Sequence, residues 1–291
     1  MRVFPIIALV LIGAAAGWFF TRPQPIDPDR FAGLIGNPDA GETIFAAAGC
    51  ASCHADPNDP SSLVAGGRAF DTPYGTFFAP NISNDPEHGV GRWSDLELAS
   101  AIMAGVGKDT RHLYPAFPYT AYNKAAPQDV LDLITYMRTL PGSDRPSEAH
   151  RLSFPYNLRA GIGAWKLLYL NEDWVLAADS VQMERGRYLV EALGHCAECH
   201  TPRNALGALD HARWMAGAPN PSGEGQIPNI TPAALTWSVG EISEYLLSGF
   251  TPAFDVAGGS MAAVIRNTSR LSDEDREAIA VYLKAVPQVE N

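Results

Sequence analysis

A mostly α-helical chain of two tandem copies of one small domain, behind an apolar N-terminal segment, is predicted by three observations on the 291 residues. The pentapeptide Cys50-Ala51-Ser52-Cys53-His54 returns as Cys196-Ala197-Glu198-Cys199-His200, and the two copies use all four cysteines. The segments that follow each pentapeptide correspond in order. No stretch alternates apolar and polar residues long enough to announce a sheet.

The elements follow in chain order. After Met1-Arg2 an uncharged apolar run extends from Val3 to Phe20 and ends at Thr21-Arg22-Pro23. Its length lies between the roughly 7–15 residues of a signal-peptide core and the about 20 of a membrane span. Ala14-Ala15-Ala16 offers a cleavage site, but Trp18-Phe19-Phe20 continue the apolar run and suit a membrane interface. Residues 1–22 are therefore expected to be an uncleaved signal anchor, with a cleaved signal as the alternative. Either way the remainder is exported. Residues 23–38, rich in proline and aspartate, read as a tether.

The first copy is assigned to residues 39–146 and the second to 179–288. In each, a helix runs into the pentapeptide, from Pro38 to Gly49 and from Ser180 to Gly194. Asn81-Ile82-Ser83 then matches Asn229-Ile230-Thr231, each after a proline. Trp93-Ser94 matches Trp237-Ser238, and each serine has a glutamate three residues on, Glu97 and Glu241, the signature of a capping box that opens a middle helix. Gly105 and Gly249 end that helix. The last helices, Val130 to Pro141 and Glu277 to Pro287, carry apolar residues at helical spacing and end at proline. Residues 147–178 do not repeat. They read as a connector, buried between the copies or exposed as an apolar docking surface.

Two thiols three residues apart, followed at once by histidine, form the pattern that attaches haem covalently and ligates its iron. A zinc ribbon would place its cysteine pairs about 15–20 residues apart, far closer than here, and a redox pair has no use for the histidine. Two covalently bound haem c groups are thus expected. Cys50, Cys53, Cys196 and Cys199 would be the attachment points, His54 and His200 the first axial ligands, and no cysteine would remain for a disulfide.

The second axial ligands differ between the copies. Met261, after Gly258-Gly259-Ser260, lies between the middle and last helices of the second copy and is the expected ligand there. Met103, Met137, Met183 and Met215 read as core or packing residues. Subtracting the 144-residue offset that relates Trp237 to Trp93 and Gly249 to Gly105 carries Met261 onto Phe117, which cannot bind iron. His112 is the leading candidate for the first site, with an open or water-bound iron, Lys108, a tyrosine or a methionine as alternatives. Histidine in place of thioether would put the first haem at the lower potential.

A formal charge of −11 argues against nucleic acid and against adsorption to anionic lipid. No Ser-His-Asp arrangement, carboxylate pair or phosphate loop points to other chemistry.

The sequence resembles the diheme c-type cytochromes, built of class I cytochrome c repeats, that serve as cytochrome c subunits of membrane-bound periplasmic dehydrogenases. The residues that carry the likeness are Gly49 to His54, Pro80-Asn81-Ile82-Ser83, Gly91-Arg92-Trp93-Ser94, Leu113 to Tyr119, Gly194 to Asn204, and Met261 with Asn267-Thr268-Ser269. They span roughly residues 39–288. The likeness implies an electron carrier on the bacterial cytoplasmic membrane with its haem domains in the periplasm, or one set free there by signal cleavage. It implies redox partner proteins: a dehydrogenase as donor, an oxidase or cytochrome as acceptor. Two departures stand out. Such subunits often carry three haems, and where their first domain usually reads Leu-Tyr-Pro-Ala-Met-Pro-Tyr this chain has Phe117. The alternative function is a haem enzyme, peroxidase-like or thiosulfate dehydrogenase-like, acting at an open or weakly ligated first haem.

Overall fold

The computed structural model describes residues 3–59, 61–220 and 225–290. It is mostly helical. After α1 (Val3–Thr21), the first half contains α2 (Pro38–Ala47), α3 (Cys50–His54), α4 (Asp95–Ala104), α5 (Tyr119–Tyr122) and α6 (Pro127–Met137). The connector holds α7 (Ala160–Tyr169). The second half contains α8 (Val181–Arg187), α9 (Ala197–His200), α10 (Val239–Ser248), α11 (Gly259–Thr268) and α12 (Asp273–Ala285).

Each half is closed by its first and last helices, and a glycine brings them together. A Cβ at Gly41 of α2 would lie 2.0 Å from the Asp132 carbonyl oxygen of α6 and 2.7 Å from Tyr136 Cβ. Gly186 of α8 repeats this against α12, 2.1 Å from the Ala278 carbonyl oxygen and 3.0 Å from Tyr282 Cβ. Backbone cannot yield as a flexible side chain can, so Gly41→Ala and Gly186→Ala are each expected to cost about 1–3 kcal/mol or more. That cost lowers the melting midpoint by roughly 2–4 °C per kcal/mol. Unchanged thermal midpoints would refute the close crossing.

Gly41 lies nine residues before Cys50 and Gly186 ten before Cys196. The extra residue is absorbed in a π-helical turn, Tyr188–Leu193, where the Gly194 amide donates to the Leu189 carbonyl. Both crossings therefore feed a pentapeptide of the same orientation.

The middle helices α4 and α10 open on the expected capping boxes, Ser94 with Glu97 and Ser238 with Glu241. They stop at Gly105 (φ 60°) and Gly249 (φ 78°). The turn that follows repeats bond by bond at the 144-residue offset. Val106 pairs with His112 as Phe250 pairs with Val256, and Leu113 N–H reaches Gly105 O at 2.7 Å as Ala257 N–H reaches Gly249 O at 2.8 Å. The shared register runs to Leu113 and Ala257; beyond it the halves part, with Met261 in the first turn of α11 and Phe117 in the bend before α5.

Strand pairing occurs where none was expected. β1 (Ala69–Thr72) and β2 (Gly75–Phe78) form an antiparallel hairpin, and β3 (Arg151–Leu152) of the connector pairs with Gly75 and Thr76. β4 (Ala218–Pro219) pairs with β5 (Gln226–Ile227) in the second half. Strands of two to four residues are too short for a period of two to register in the sequence. Position comes from the turn at Pro73-Tyr74 and from Gly75, whose φ of 119° lets the Arg151 carbonyl approach to 2.3 Å from a Cβ position.

The tether is packed rather than free. Ile26 N–H donates to Ser100 Oγ, Asn37 N–H donates to Asp132 Oδ1 at 2.7 Å, and Arg30 pairs with Glu172. The connector is anchored at both ends. Lys166 of α7 is buried with Nζ 2.6 Å from Ala104 O and 2.8 Å from Gly105 O, so it caps the end of α4. Near Val175, the buried Glu191 carboxylate accepts the Val175 and Leu176 amides and the Tyr282 hydroxyl.

Among the described residues no helix is long and apolar enough to cross a membrane. Arg2 of the expected anchor lies outside the described residues. The C-terminal part of α1 leaves Leu11, Ile12, Trp18, Phe19 and Phe20 exposed.

Candidate haem sites

Both pentapeptides fold as short helical turns. Gly49, left-handed at φ 64°, turns the chain from α2 into α3 and puts Cys50 and Cys53 one turn apart on one face. Cys196 opens α9 and sets itself against Cys199 in the same way. None of the four thiols is in a disulfide. Burial pushes the Cys50 and Cys196 thiols up to about 12. Burial also raises Cys53, which feels Arg68 in the opposite sense and Cys199 of the other copy as a further raising influence.

His54 and His200 are held identically. His54 Nδ1 lies 2.8 Å from the Pro80 carbonyl oxygen and His200 Nδ1 2.8 Å from that of Pro228. A carbonyl only accepts, so Nδ1 carries the proton and Nε2 keeps its lone pair, as an iron ligand requires. Burial lowers the pKa of both imidazoles and favours this neutral form.

The two proline carbonyls are positioned by residues whose roles the sequence had not revealed. Asn81 accepts the Ser83 amide and donates to Ser143 O and Arg145 O; Asn229 accepts the Thr231 amide and donates to Val289 O. Each asparagine pins its loop to the chain beyond the last helix. Gly66 and Gly217 donate to the His54 and His200 carbonyls, and a Cβ on either would strike the proline–asparagine backbone at 2.5–3.0 Å. The recurrence of Pro-Asn-Ile was visible in the sequence. Glycine pairs 12 and 17 residues past the histidines are too irregularly spaced to stand out.

The far sides differ. Met261 is half-buried in the first turn of α11 and packs against the core; the sequence had placed it in a loop. Met103, Met137, Met183 and Met215 are buried in the hydrophobic core, as expected. Phe117 packs on the rings of Tyr122 and Tyr119, at centroid distances of 5.7 and 6.4 Å.

His112 has a partner other than the one expected. Its Nε2 donates to the Thr21 carbonyl at 2.8 Å, at the end of α1, while Nδ1 is buried without a hydrogen-bond partner. Gly163 of α7 closes the same contact, its Cβ position lying 2.0 Å from Thr21 O and 2.9 Å from His112 Nε2. Burial, with Lys166 adding to it, lowers the His112 pKa despite the bond to Thr21.

Between the halves, the Ala48 carbonyl accepts from Tyr122 Oη at 2.8 Å and from His195 Nε2 at 3.3 Å, and the two rings meet edge to face. Asn267 Nδ2 donates to Ser52 Oγ at 2.9 Å, and Arg270 pairs with Glu42. His195 thus links the start of the second pentapeptide to the residue before the first, while Asn267 and Arg270, at the end of α11, reach Ser52 and Glu42.

The donor set fits haem c and does not fit zinc. Each pair of free thiols has one imidazole beside it with an unencumbered Nε2, and no group of three His, Cys, Asp or Glu side chains among the described residues could hold a metal ion. The Cytochrome c family model matches residues 38–141 and again 183–287.

The chain belongs to the cytochrome c family.

It is a diheme cytochrome with two covalently bound haem c groups and two tandem cytochrome c domains. It is 56% identical over 288 residues to a "Diheme cytochrome c-type" of Cereibacter sphaeroides, covering 98% of this chain and 97% of that protein. It is 36% identical over 274 residues to the "Fructose dehydrogenase cytochrome subunit" of Gluconobacter japonicus, and 32% identical over 276 residues to the "Alcohol dehydrogenase (quinone), cytochrome c subunit" of Gluconacetobacter polyoxogenes. These matches cover 91% and 90% of this chain but only 56% and 58% of those subunits. The homology to dehydrogenase cytochrome subunits supports electron transfer by this cytochrome.

Proposed function

We propose that the chain relays electrons between a periplasmic dehydrogenase and a respiratory acceptor such as an oxidase or another cytochrome, with its haem domains held at the outer face of a bacterial cytoplasmic membrane. One observation carries the proposal. The second domain bonds to the first around one attachment site. His195, just before Cys196, reaches the Ala48 carbonyl just before Cys50, and Asn267 of α11 donates to Ser52 inside the first pentapeptide, which supports a short path between the haems. Bound haem supplies one-electron chemistry, at a potential set by axial ligands and burial.

The protein's own residues fix position and ligand character. Cys50, Cys53, Cys196 and Cys199 provide the thioether links. His54 and His200 are the proximal ligands, aimed by Pro80 and Pro228. Met261 is the second ligand at the second site. At the first site Phe117 occupies the corresponding place, and His112 is spent on Thr21, so it serves the docking of α1 rather than the iron.

Anchoring is supported by α1 itself. Its exposed leucine, isoleucine and aromatic side chains need an apolar cover, and its C-terminal end is fastened to the first domain by His112 and Gly163. In His112→Ala the visible spectrum of the first haem should stay as in the parent, while hydrogen exchange at the end of α1 accelerates. Loss of a low-spin signal would restore His112 as a ligand. The pH dependence follows from the lowered pKa. Undocked His112 binds a proton more readily than docked His112, so docking is complete above about 6.5 and weakens as pH falls through the lower docked value. Exchange at Thr21 and Arg22 should rise on acidification in the parent and not in His112→Phe.

The rival reading, a haem enzyme, rests on Phe117. Carbon monoxide added to the reduced protein and cyanide added to the oxidised protein separate the two. An electron carrier with a closed first site binds neither within seconds. Rapid, stoichiometric binding at one haem of two would overturn the carrier reading in favour of substrate chemistry there.

A further inference from the structure

We infer that the connector face from Phe154 to Leu168 rests on the headgroup layer of an anionic phospholipid bilayer, and so fixes how the two haem domains lie on the membrane. The inference rests on the proposed anchoring of α1 and goes beyond it, because a single anchor alone leaves the domains free to swivel.

α7 is two-faced. Ile162, Gly163 and Lys166 are buried against the first domain and α1, while Leu167 and Leu168 are 61% and 66% exposed. The loop before it adds exposed Phe154 (79%), Tyr156 and Leu158. These apolar side chains sit on one short stretch that no part of the chain covers among the described residues.

Charge and continuity identify the occupant. In a chain of net charge −11, no aspartate or glutamate occurs between Glu148 and Glu172. Of the cations in that interval Lys166 is buried on α4 and Arg159 is half-buried on His112 and Tyr114, which leaves Arg151 exposed. The Arg151 side chain is 73% exposed. Arg22, at the point where α1 leaves its helix, is exposed and stacks on Trp18 and Phe19. Exposed Arg151 and Arg22 beside exposed leucine and aromatic side chains suit a membrane interface, where a cation near an anionic surface is attracted. The end of α1 meets α7 directly at Gly163, so a bilayer that receives α1 brings its surface to this face. The strongly acidic remainder of the molecule is repelled by the same surface, which leaves the connector as the side that faces it.

The test uses the full holo-protein reconstituted in vesicles of phosphatidylcholine and phosphatidylglycerol, with a fraction of the acyl chains carrying a diazirine. After illumination, adducts are mapped by peptide mass spectrometry. Adducts are expected both in residues 3–21 and in 152–169. Leu167→Ser/Leu168→Ser, at two exposed positions, should lower labelling of 152–169 at least threefold and leave that of 3–21 unchanged. Replacing phosphatidylglycerol with phosphatidylcholine should lower the connector adducts alone. Labelling of 3–21 without 152–169 overturns the inference while leaving α1 anchored, and assigns the face to a protein partner. Labelling of neither overturns the anchoring itself, and the inference with it. Connector labelling indifferent to phosphatidylglycerol overturns the choice of an anionic surface.

Discussion

Replacement of Cys196 and Cys199 by alanine is expected to lower the haem count from two per chain to one. Alkaline pyridine treatment of the reduced, denatured protein reads this count directly, since only covalently held haem survives with the c-type spectrum. The effect should be nearly all-or-none, because Cys196 and Cys199 are the thiols that carry the second attachment in this reading. The loss should spread to the second domain's fold. Its first and last helices meet across Gly186, but Met261 is only half-buried at the edge of the core, so losing the haem is expected to weaken that side of the domain. Ligand binding that exists only in the folded state contributes directly to folding free energy. The first domain, with its own α2–α6 crossing at Gly41, should keep its haem and its melting transition. A count that stays at two would remove the assignment of this pentapeptide, and a parent protein with no covalent haem would remove both.

The second large effect concerns Met261. Met261→His exchanges a thioether for an imidazole, which favours ferric over ferrous iron. The higher of the two midpoint potentials should fall by a few tenths of a volt, within the roughly 0.8 V range that axial ligands span. The lower potential should stay in place, because Met261 belongs to α11 and the first site has its own distal residues around Phe117. An unchanged higher potential would show that another side chain holds that iron. Phe117→Met is the companion change. It puts a thioether where the 144-residue register places Met261, and should raise the potential of the first haem toward the second. The turns that precede the two positions share their hydrogen bonds, which supports pairing them.

The two potentials are where direction enters. The proximal halves are built alike down to a 2.8 Å bond between Nδ1 and a proline carbonyl. Any difference between the haems must therefore come from the distal residues and from the surroundings of each pentapeptide. Ser52 receives Asn267 from the other domain, whereas Glu198 pairs with Arg203 of its own and accepts from Thr120.

Much of this was legible in the residues alone. The pentapeptides, the capping boxes of α4 and α10, the glycine stops and the offset that pairs Met261 with Phe117 are all local signals. Each depends on atoms within a few residues of one another, so the chain order contains them. Three things were not legible for the opposite reason. Gly41 and Gly186 matter because of helices about 90 residues away. The carbonyls of Pro80 and Pro228 matter because a loop more than 20 residues past each histidine is pinned behind its ring. His112 lies in a loop near a vacant ligand position in the sequence, and only the path of α1 shows that its Nε2 is taken by Thr21.

By itself, then, the sequence determined that there are two haem c pentapeptides, each ending in histidine, and that the offset carries Met261 onto a phenylalanine, because covalent attachment demands particular residues at fixed spacing. The tertiary structure decided which carbonyls hold His54 and His200, which residues bond the second domain to the first pentapeptide, and which carbonyl meets His112. Those are questions of proximity between distant segments, settled by backbone packing at glycine and by carbonyls that need a donor, and neither leaves a periodic trace along the chain.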